Sequence, residues 1–300
     1  MISWEFHSPV TNIADFGLAG PAGADVFVSV KRDDLIHPFV SGNKWRKLKY
    51  AFQDLQASGK KEVVTFGGAW SNHLLATACA GAVHGVRSTG FVRGDEAVQN
   101  PVLNLCTVYG MQLIYVDRTA YRDKRLLFDR YVNTHAKPED VYFIDEGGYS
   151  VEATEGCAEI IGELDEQFDH IFCACGTGAT LAGLSKGLLA SGLSTRLNGV
   201  PVLAGGAFIQ EAAQELVPGA DFELHLDYHF GGYAKTKLEL LSFIKRFVSA
   251  TGILIEPVYT GKLFYAVYDL IGSGYFNPGS RILILHSGGL TGFMGQQKIL

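Results

Sequence analysis

The segment VSGNKWRKLKY, residues 40–50, places Lys44, Arg46, Lys47 and Lys49 at the start of a stretch with helical apolar spacing. A helix N-terminus already carries partial positive charge. Cations there are unfavourable unless something negative lies nearby, or unless one amine serves as a nucleophile. A second stretch, Gly176-Thr177-Gly178-Ala179-Thr180, follows the apolar run HIFCA and opens the segment TLAGLSKGLLA. Backbone N–H groups and two threonine hydroxyls on such a turn can ring a phosphate, with the helix dipole behind it. It is not a Walker A loop, because no Gly-Lys-Ser/Thr follows. A dinucleotide fingerprint needs a third glycine where Leu181 stands and an acid about 20 residues on. Asn198 and its neighbours supply none. The turn suits a small monophosphate better than NAD or ATP.

The elements that must position these residues read as alternating strands and helices. Strand candidates are VFVSV, EVVTF, STGFV, QLIYV, DVYFI, HIFCA, GVPVLAG and RILIL. Many are continuous Val/Ile runs, as buried parallel strands are. In 45–59, Trp45, Leu48, Phe52 and Leu55 follow helical spacing and Gly59 reads as the stop. Ser71 and Asn72 stand where an N-cap belongs before LLATACAGAVHG, a helix apolar nearly all round. The segment 235–250 is amphipathic and ends at Gly252. The alternation predicts an α/β fold with parallel sheet. Four strands run straight into a glycine turn: VVTF-GGAWSN, IFCAC-GTGAT, VLA-GGA and ILILH-SGGLTG. Ligands of open α/β sheets bind at the carboxyl ends of strands. One such turn alone is ordinary loop chemistry; the set together points to a site.

The bulk numbers bound the reading. The 300 residues suffice for two domains, and 47% hydrophobic content with 36 glycines fits a compact enzyme. A net charge of −6 argues against nucleic-acid or membrane-surface partners. No apolar run reaches membrane-span length, and MISWEFHSPV has no signal-peptide pattern. The five cysteines, Cys79, Cys106, Cys157, Cys173 and Cys175, form no CxxC and suggest reduced thiols and a cytoplasmic setting. Cys173 and Cys175 would share one strand face as small core residues. His225 and His229 have i, i+4 spacing but no HExxH frame, so no metal site is expected. No GxSxG supports a serine hydrolase.

A ligand with one phosphate and one aldehyde, pyridoxal 5′-phosphate, resolves the lysine question. It needs one lysine for the aldehyde and cations or N–H groups for the phosphate. Lys44 alone would read as a solvated helix-start residue. Beside the phosphate turn and the Ser71-Asn72-His73 run it reads as functional. Tyr233, after Gly231-Gly232, and Tyr259, in EPVYTGK, could each be structural or functional.

SGNKWRKLKY, GGAWSNH, GTGAT, GGYAK, PVYTGK and HSGG, in this order across residues 20–295, resemble the 1-aminocyclopropane-1-carboxylate (ACC) deaminase / D-cysteine desulfhydrase family. These are pyridoxal-phosphate enzymes of fold type II. The resemblance implies two domains, each with a mainly parallel twisted sheet flanked by helices. A large cofactor domain would span 1–44 and 147–300, and an inserted small domain 45–146. It implies that Lys44 is the Schiff-base lysine and that Lys47 faces the phosphate. Asn72 would bond the pyridoxal O3′, and Ser71 would contact the substrate carboxylate or act near the reacting carbon. Gly176, Thr177, Gly178, Ala179 and Thr180 would cradle the phosphate. Tyr233 and Tyr259 would flank the substrate, and Thr260 or Ser287 would face the pyridine nitrogen. A homodimer is implied as well.

Three positions depart from the ACC deaminase pattern. That pattern has Glu where Thr260 stands, Leu where Ser287 stands and Gln where His73 stands. Desulfhydrases typically carry Thr at the first two positions and His at the third. The segment 93–125 carries no motif. The expected function is therefore a pyridoxal-phosphate lyase converting D-cysteine to pyruvate, sulfide and ammonia. ACC deaminase is the first alternative. The second is a non-catalytic pyridoxal-phosphate or nucleotide-binding protein on the same scaffold. A nicotinamide dehydrogenase is disfavoured by the missing glycine and acid.

Overall fold

A computed structural model describes residues 4–13, 25–94, 100–135 and 137–295. The first three residues of the N-terminal segment, the start of the family resemblance at 20–24 and part of the unassigned 93–125 segment lie outside these residues.

The strands form two sheets. In the larger, the order is β1 (Val10–Ile13), β2 (Phe27–Lys31), β10 (Arg281–Leu285), β7 (His170–Cys175), β8 (Arg196–Pro201), β9 (Glu223–Leu224). All neighbours are parallel except β1 with β2. The smaller sheet runs β5 (Gln112–Val116), β4 (Arg87–Arg93), β3 (Glu62–Gly68), β6 (Val141–Phe143), all parallel.

Every residue of β7 is buried, so the strand needs apolar side chains toward both faces. Phe172 and Ala174 pack with Phe243 and Phe247 of α8 (Leu238–Thr251) and Phe264 of α9 (Thr260–Gly272). Ile171, Cys173 and Cys175 point the other way. They meet Ile160 of α5 (Val151–Gly162) and Leu181 and Leu184 of α6 (Ala179–Ser191). The two thiols thus share one face, as alternation predicts. The small sheet is layered likewise. Val63 packs under α1 (Asn43–Ala57) and α2 (Asn72–His84), and Phe66 and Phe91 pack against α4 (Lys124–His135). Val92 contacts α2 and α3 (Pro101–Val108). The remaining helix, α7 (Ile209–Leu216), packs Ile209 beside α6.

Four boundaries differ from the sequence-based expectation. Helix α1 starts at Asn43 rather than Trp45, while Gly59, with φ +69°, stands just past its end as the expected stop. Helix α8 starts at Leu238 because Lys237 is extended, φ −123° and ψ 161°. The strand expected at GVPVLAG begins at Arg196 and stops at Pro201, which has no N–H to continue the ladder. Strands β1 and β9 were not anticipated. One is half polar, VTNI, and the other has two residues, too little for a period-2 pattern.

Candidate active site

The four cations of the opening segment separate into two kinds. Arg46 donates to both Asp33 oxygens, at 2.9 and 3.1 Å, and to Glu163. Lys49 pairs with Glu159 at 2.6 Å. Lys44 and Lys47 make no ion pair among the described residues. Both donate instead to one backbone carbonyl, that of Gly147, at 3.3 Å. Burial holds the Lys44 amine well below the usual lysine range, and the neighbouring Lys47 lowers it further. Burial lowers Lys47 as well.

These lysines face a recess of about 50 Å3. It is lined by Asn43, Lys44 and Lys47 of α1, by Gly147, by Ala174 and Cys175 of β7, by the turn residues Gly176, Thr177, Gly178 and Thr180, and by Leu181 and Tyr259. Among the described residues no carboxylate lines it. Gly178 is the N-cap of α6, in the left-handed region at φ +89°, and no side chain caps the helix there. The first N–H groups of α6 therefore lack a side-chain acceptor, a ready anion site. Thr180 accepts from Asn43 Nδ2 at 3.2 Å, which ties the α1 start to the turn. Ala179 is buried in the first turn of α6 and does not line the recess.

The start of α1 is fixed from the far end of the chain. Gly42, φ +61°, lies so close to Ser287 that a Cβ would stand 1.8 Å from its carbonyl oxygen. Only glycine fits there. Asn43 N–H donates to that carbonyl at 3.1 Å. Ser287 itself is buried. Ser71 caps α2, accepting from Leu74 N–H at 3.2 Å. Asn72 bonds the strand-exit segment after β10, donating to Gly289 O at 3.4 Å and accepting from Thr291. His73 is buried, with Nε2 2.8 Å from Thr65 Oγ1, and Thr65 donates to the Ile144 carbonyl. That chain leaves Nε2 as the donor of the ring and Nδ1 without a partner.

Tyr259 and Tyr233 meet edge to face, ring centroids 5.9 Å apart and hydroxyls 3.5 Å apart. Burial pushes the Tyr259 phenol well above its usual value. Tyr233 is half exposed above it. Thr260 is drawn away from this group. It accepts from Glu256 N–H at 2.9 Å, and its other contacts are Glu256 oxygens at 3.4 Å.

Sequence reasoning missed Asn43, Gly147, Glu256 and Lys262. Gly147 had a signal, since DVYFI-DEGG is one more strand followed by a glycine turn. Glu256 is fully buried and accepts from the N–H groups of Val258, Tyr259 and Thr260 at 2.7, 2.6 and 2.8 Å. Lys262 is also fully buried. Among the described residues no group of three or more His, Cys, Asp or Glu is placed to hold a metal ion. No described helix is long and apolar enough to cross a membrane.

A capless helix start, two lysines free of carboxylates and an acid-free lining together fit an anion that also carries an amine-reactive carbonyl. Residues 10–288 match the family described as pyridoxal-phosphate dependent enzyme. The chain is a pyridoxal-phosphate-dependent enzyme of fold type II and belongs to the family of ACC deaminases and D-cysteine desulfhydrases. It is 33% identical to a putative ACC deaminase of Pyrococcus horikoshii, covering 97% of this chain and 91% of that one. It is 31% identical to a mitochondrial bifunctional D-cysteine desulfhydrase/ACC deaminase of Arabidopsis thaliana, over 95% of this chain and 77% of that one. A crystal structure of an ACC deaminase homologue superposes with TM-score 0.85 at 30% identity, covering 97% and 92% of the two chains.

Proposed function

We propose that the enzyme is a D-cysteine desulfhydrase, taking D-cysteine and water to pyruvate, hydrogen sulfide and ammonia. In this reading Lys44 holds the cofactor through its amine. Lys47, Asn43 and the turn residues Gly176, Thr177, Gly178 and Thr180 hold the phosphate, and Asn72 and Ser287 hold the ring. When bound, the cofactor supplies an electron sink for the carbanion formed at Cα. The Lys44 amine, whose hold on a proton is weakened by burial and by Lys47, is the base that takes and returns the proton at Cα. Ser71, at the start of α2, orients the substrate carboxylate toward the helix N–H groups that its own hydroxyl does not cap. Tyr259 and Tyr233 cover the site and exclude water. Burial pushes the Tyr259 phenol up, so it stays a neutral hydroxyl that can donate a hydrogen bond to the departing sulfur. The division into a cofactor unit, 1–44 and 147–300, and an inserted unit, 45–146, belongs to the same proposal, as does a homodimer.

The observation that carries the substrate choice is the chemistry around Thr260 and Ser287. A pyridine nitrogen beside a carboxylate keeps its proton and makes a strong sink. Here the nearby carboxylate, Glu256, is committed to three backbone N–H groups, the Thr260 hydroxyl is turned onto Glu256, and the candidate partner left for the ring nitrogen, Ser287, is a neutral hydroxyl. A weaker sink suffices to expel sulfide from Cβ but not to open a cyclopropane. The test compares kcat/KM for D-cysteine, β-chloro-D-alanine and ACC in the wild type and in Thr260→Glu. D-cysteine should lead and the variant should shift the ratio toward ACC. Equal turnover of ACC by the wild type sinks the reading. Borohydride reduction should attach the cofactor to Lys44; label on Lys47 or Lys49 instead would remove the assigned base.

A further inference from the structure

Lys262 lies one turn beyond Tyr259 in α9, fully buried, with no carboxylate within ion-pair distance among the described residues. Its ammonium donates to three backbone carbonyls: Val202 at 2.9 Å, His229 at 2.8 Å and Gly232 at 2.8 Å. Only a protonated amine has three N–H donors for three acceptors. Burial lowers the group to about 8, which still leaves it charged at neutral pH.

The three carbonyls come from the exit of β8 and from the loop that carries Tyr233. That loop is unusual in its backbone. Phe230, Gly231, Gly232 and Ala234 all have positive φ, at 54°, 95°, 123° and 55°. Two of them are not glycine, so the conformation costs energy and persists only where the surroundings impose it. Phe230 is buried in the large core, edge to face with Tyr265. Lys262 supplies the other anchor, one peptide before Tyr233. Carbonyl oxygens arranged around a compact cation are also how proteins replace the hydration shell of potassium.

We propose that Lys262 is a tethered monovalent cation, a positioning residue whose ammonium fills a carbonyl cage and thereby sets Tyr233 against Tyr259. Its importance for catalysis rests on the site reading above; the cage itself does not. Removing the side chain while leaving the cage should create a site for free potassium.

The experiment uses cofactor-loaded protein and trypsin, which cleaves after the exposed Lys235 and Lys237 beside the loop. In tetramethylammonium chloride, Lys262→Ala should be cut there about tenfold faster than wild type, because cleavage follows the population of the open loop. Potassium chloride at equal ionic strength should slow the cut toward the wild-type rate. Wild type should be cut at one rate in both salts, since its cage is filled. Substrate plays no part in this readout, so its outcome stays separate from whether D-cysteine is turned over. If the variant folds only in potassium, the cage is equally supported. Cleavage at the wild-type rate, faster cleavage that potassium does not slow, or failure to fold in both salts would each overturn the proposal.

Discussion

Helices α6 and α9 are both 13 residues long, both begin at the carboxyl ends of the large sheet or beside them, and their starts meet across one recess. Their dipoles are therefore comparable. The ends are treated in opposite ways. At α9 the chain inserts its own anion: the Glu256 carboxylate takes three N–H groups in a fully buried setting. At α6 the cap is a glycine with no side chain, and the charged groups that line the recess among the described residues are lysines. One end is plugged and structural; the other is left open for an anion that the chain does not supply. Similar helix starts are thus told apart by what their orphan N–H groups meet, not by their sequence of small residues.

Plugging the open end should have the largest effect. Thr177→Asp puts a carboxylate where the phosphate sits, and two like charges about 4 Å apart repel by about 4 kcal/mol in partly screened surroundings. Cofactor affinity, followed by visible absorbance during titration, should fall by that amount, while the cofactor-free protein loses no thermal stability. Unchanged affinity would break the contrast between the two ends.

Unplugging the closed end comes next. Glu256→Ala leaves three buried N–H groups without their acceptor and should cost about 3 kcal/mol in urea unfolding. A cost near zero would mean that Glu256 is not the cap it resembles. A milder change to the open end, Thr177→Val with Thr180→Val, removes two hydroxyls at constant size. It should weaken cofactor binding by about 2 kcal/mol and leave unfolding of the cofactor-free protein nearly unmoved. An equal loss in both would make the turn structural.

The smallest effect is in pH. Burial raises the Glu256 carboxyl above its ordinary value. A raised carboxyl favours the protonated fold, so its contribution is complete below the unfolded pKa, about 4.3, and is lost as pH rises through the folded value. The stability of wild type relative to Glu256→Gln should therefore decline across that window. A difference that is flat with pH, or that grows with pH, contradicts the burial of a titrating carboxyl.

The open end was legible in the sequence and the plugged end was not, for physical reasons. Gly176–Thr180 follows a buried apolar strand, and its glycines and hydroxyls are residue types that a solvent-exposed turn does not require together. Most strands and the order of the motifs were readable in the same way. Glu256 looks like any acid before a proline, because the bonds it makes reach forward across Pro257 to a helix that starts at Thr260. Lys262 sits inside a helix, where a buried lysine and a solvated one have the same letter and the same spacing. Its three acceptors are 30 to 60 residues away in the chain. Thr260 shows the opposite failure: a motif position that looked free to meet a ligand has its hydroxyl turned onto Glu256.

The place of β10 in the large sheet has a consequence for synthesis. It is the last strand of the described residues, yet it lies between β2 and β7. Until it emerges from the ribosome, β1–β2 and β7–β8–β9 have no strand joining them. Gly42 then has no Ser287 to rest on, so the lysine helix and the phosphate turn are not yet held to each other. Such long-range closure is slow, and a waiting chain exposes unpaired strand edges. Because a ligand stabilises only the state that binds it, the cofactor rewards finished chains alone. Cofactor supply should thus govern how much of the newly made enzyme survives, as well as how much of it is active.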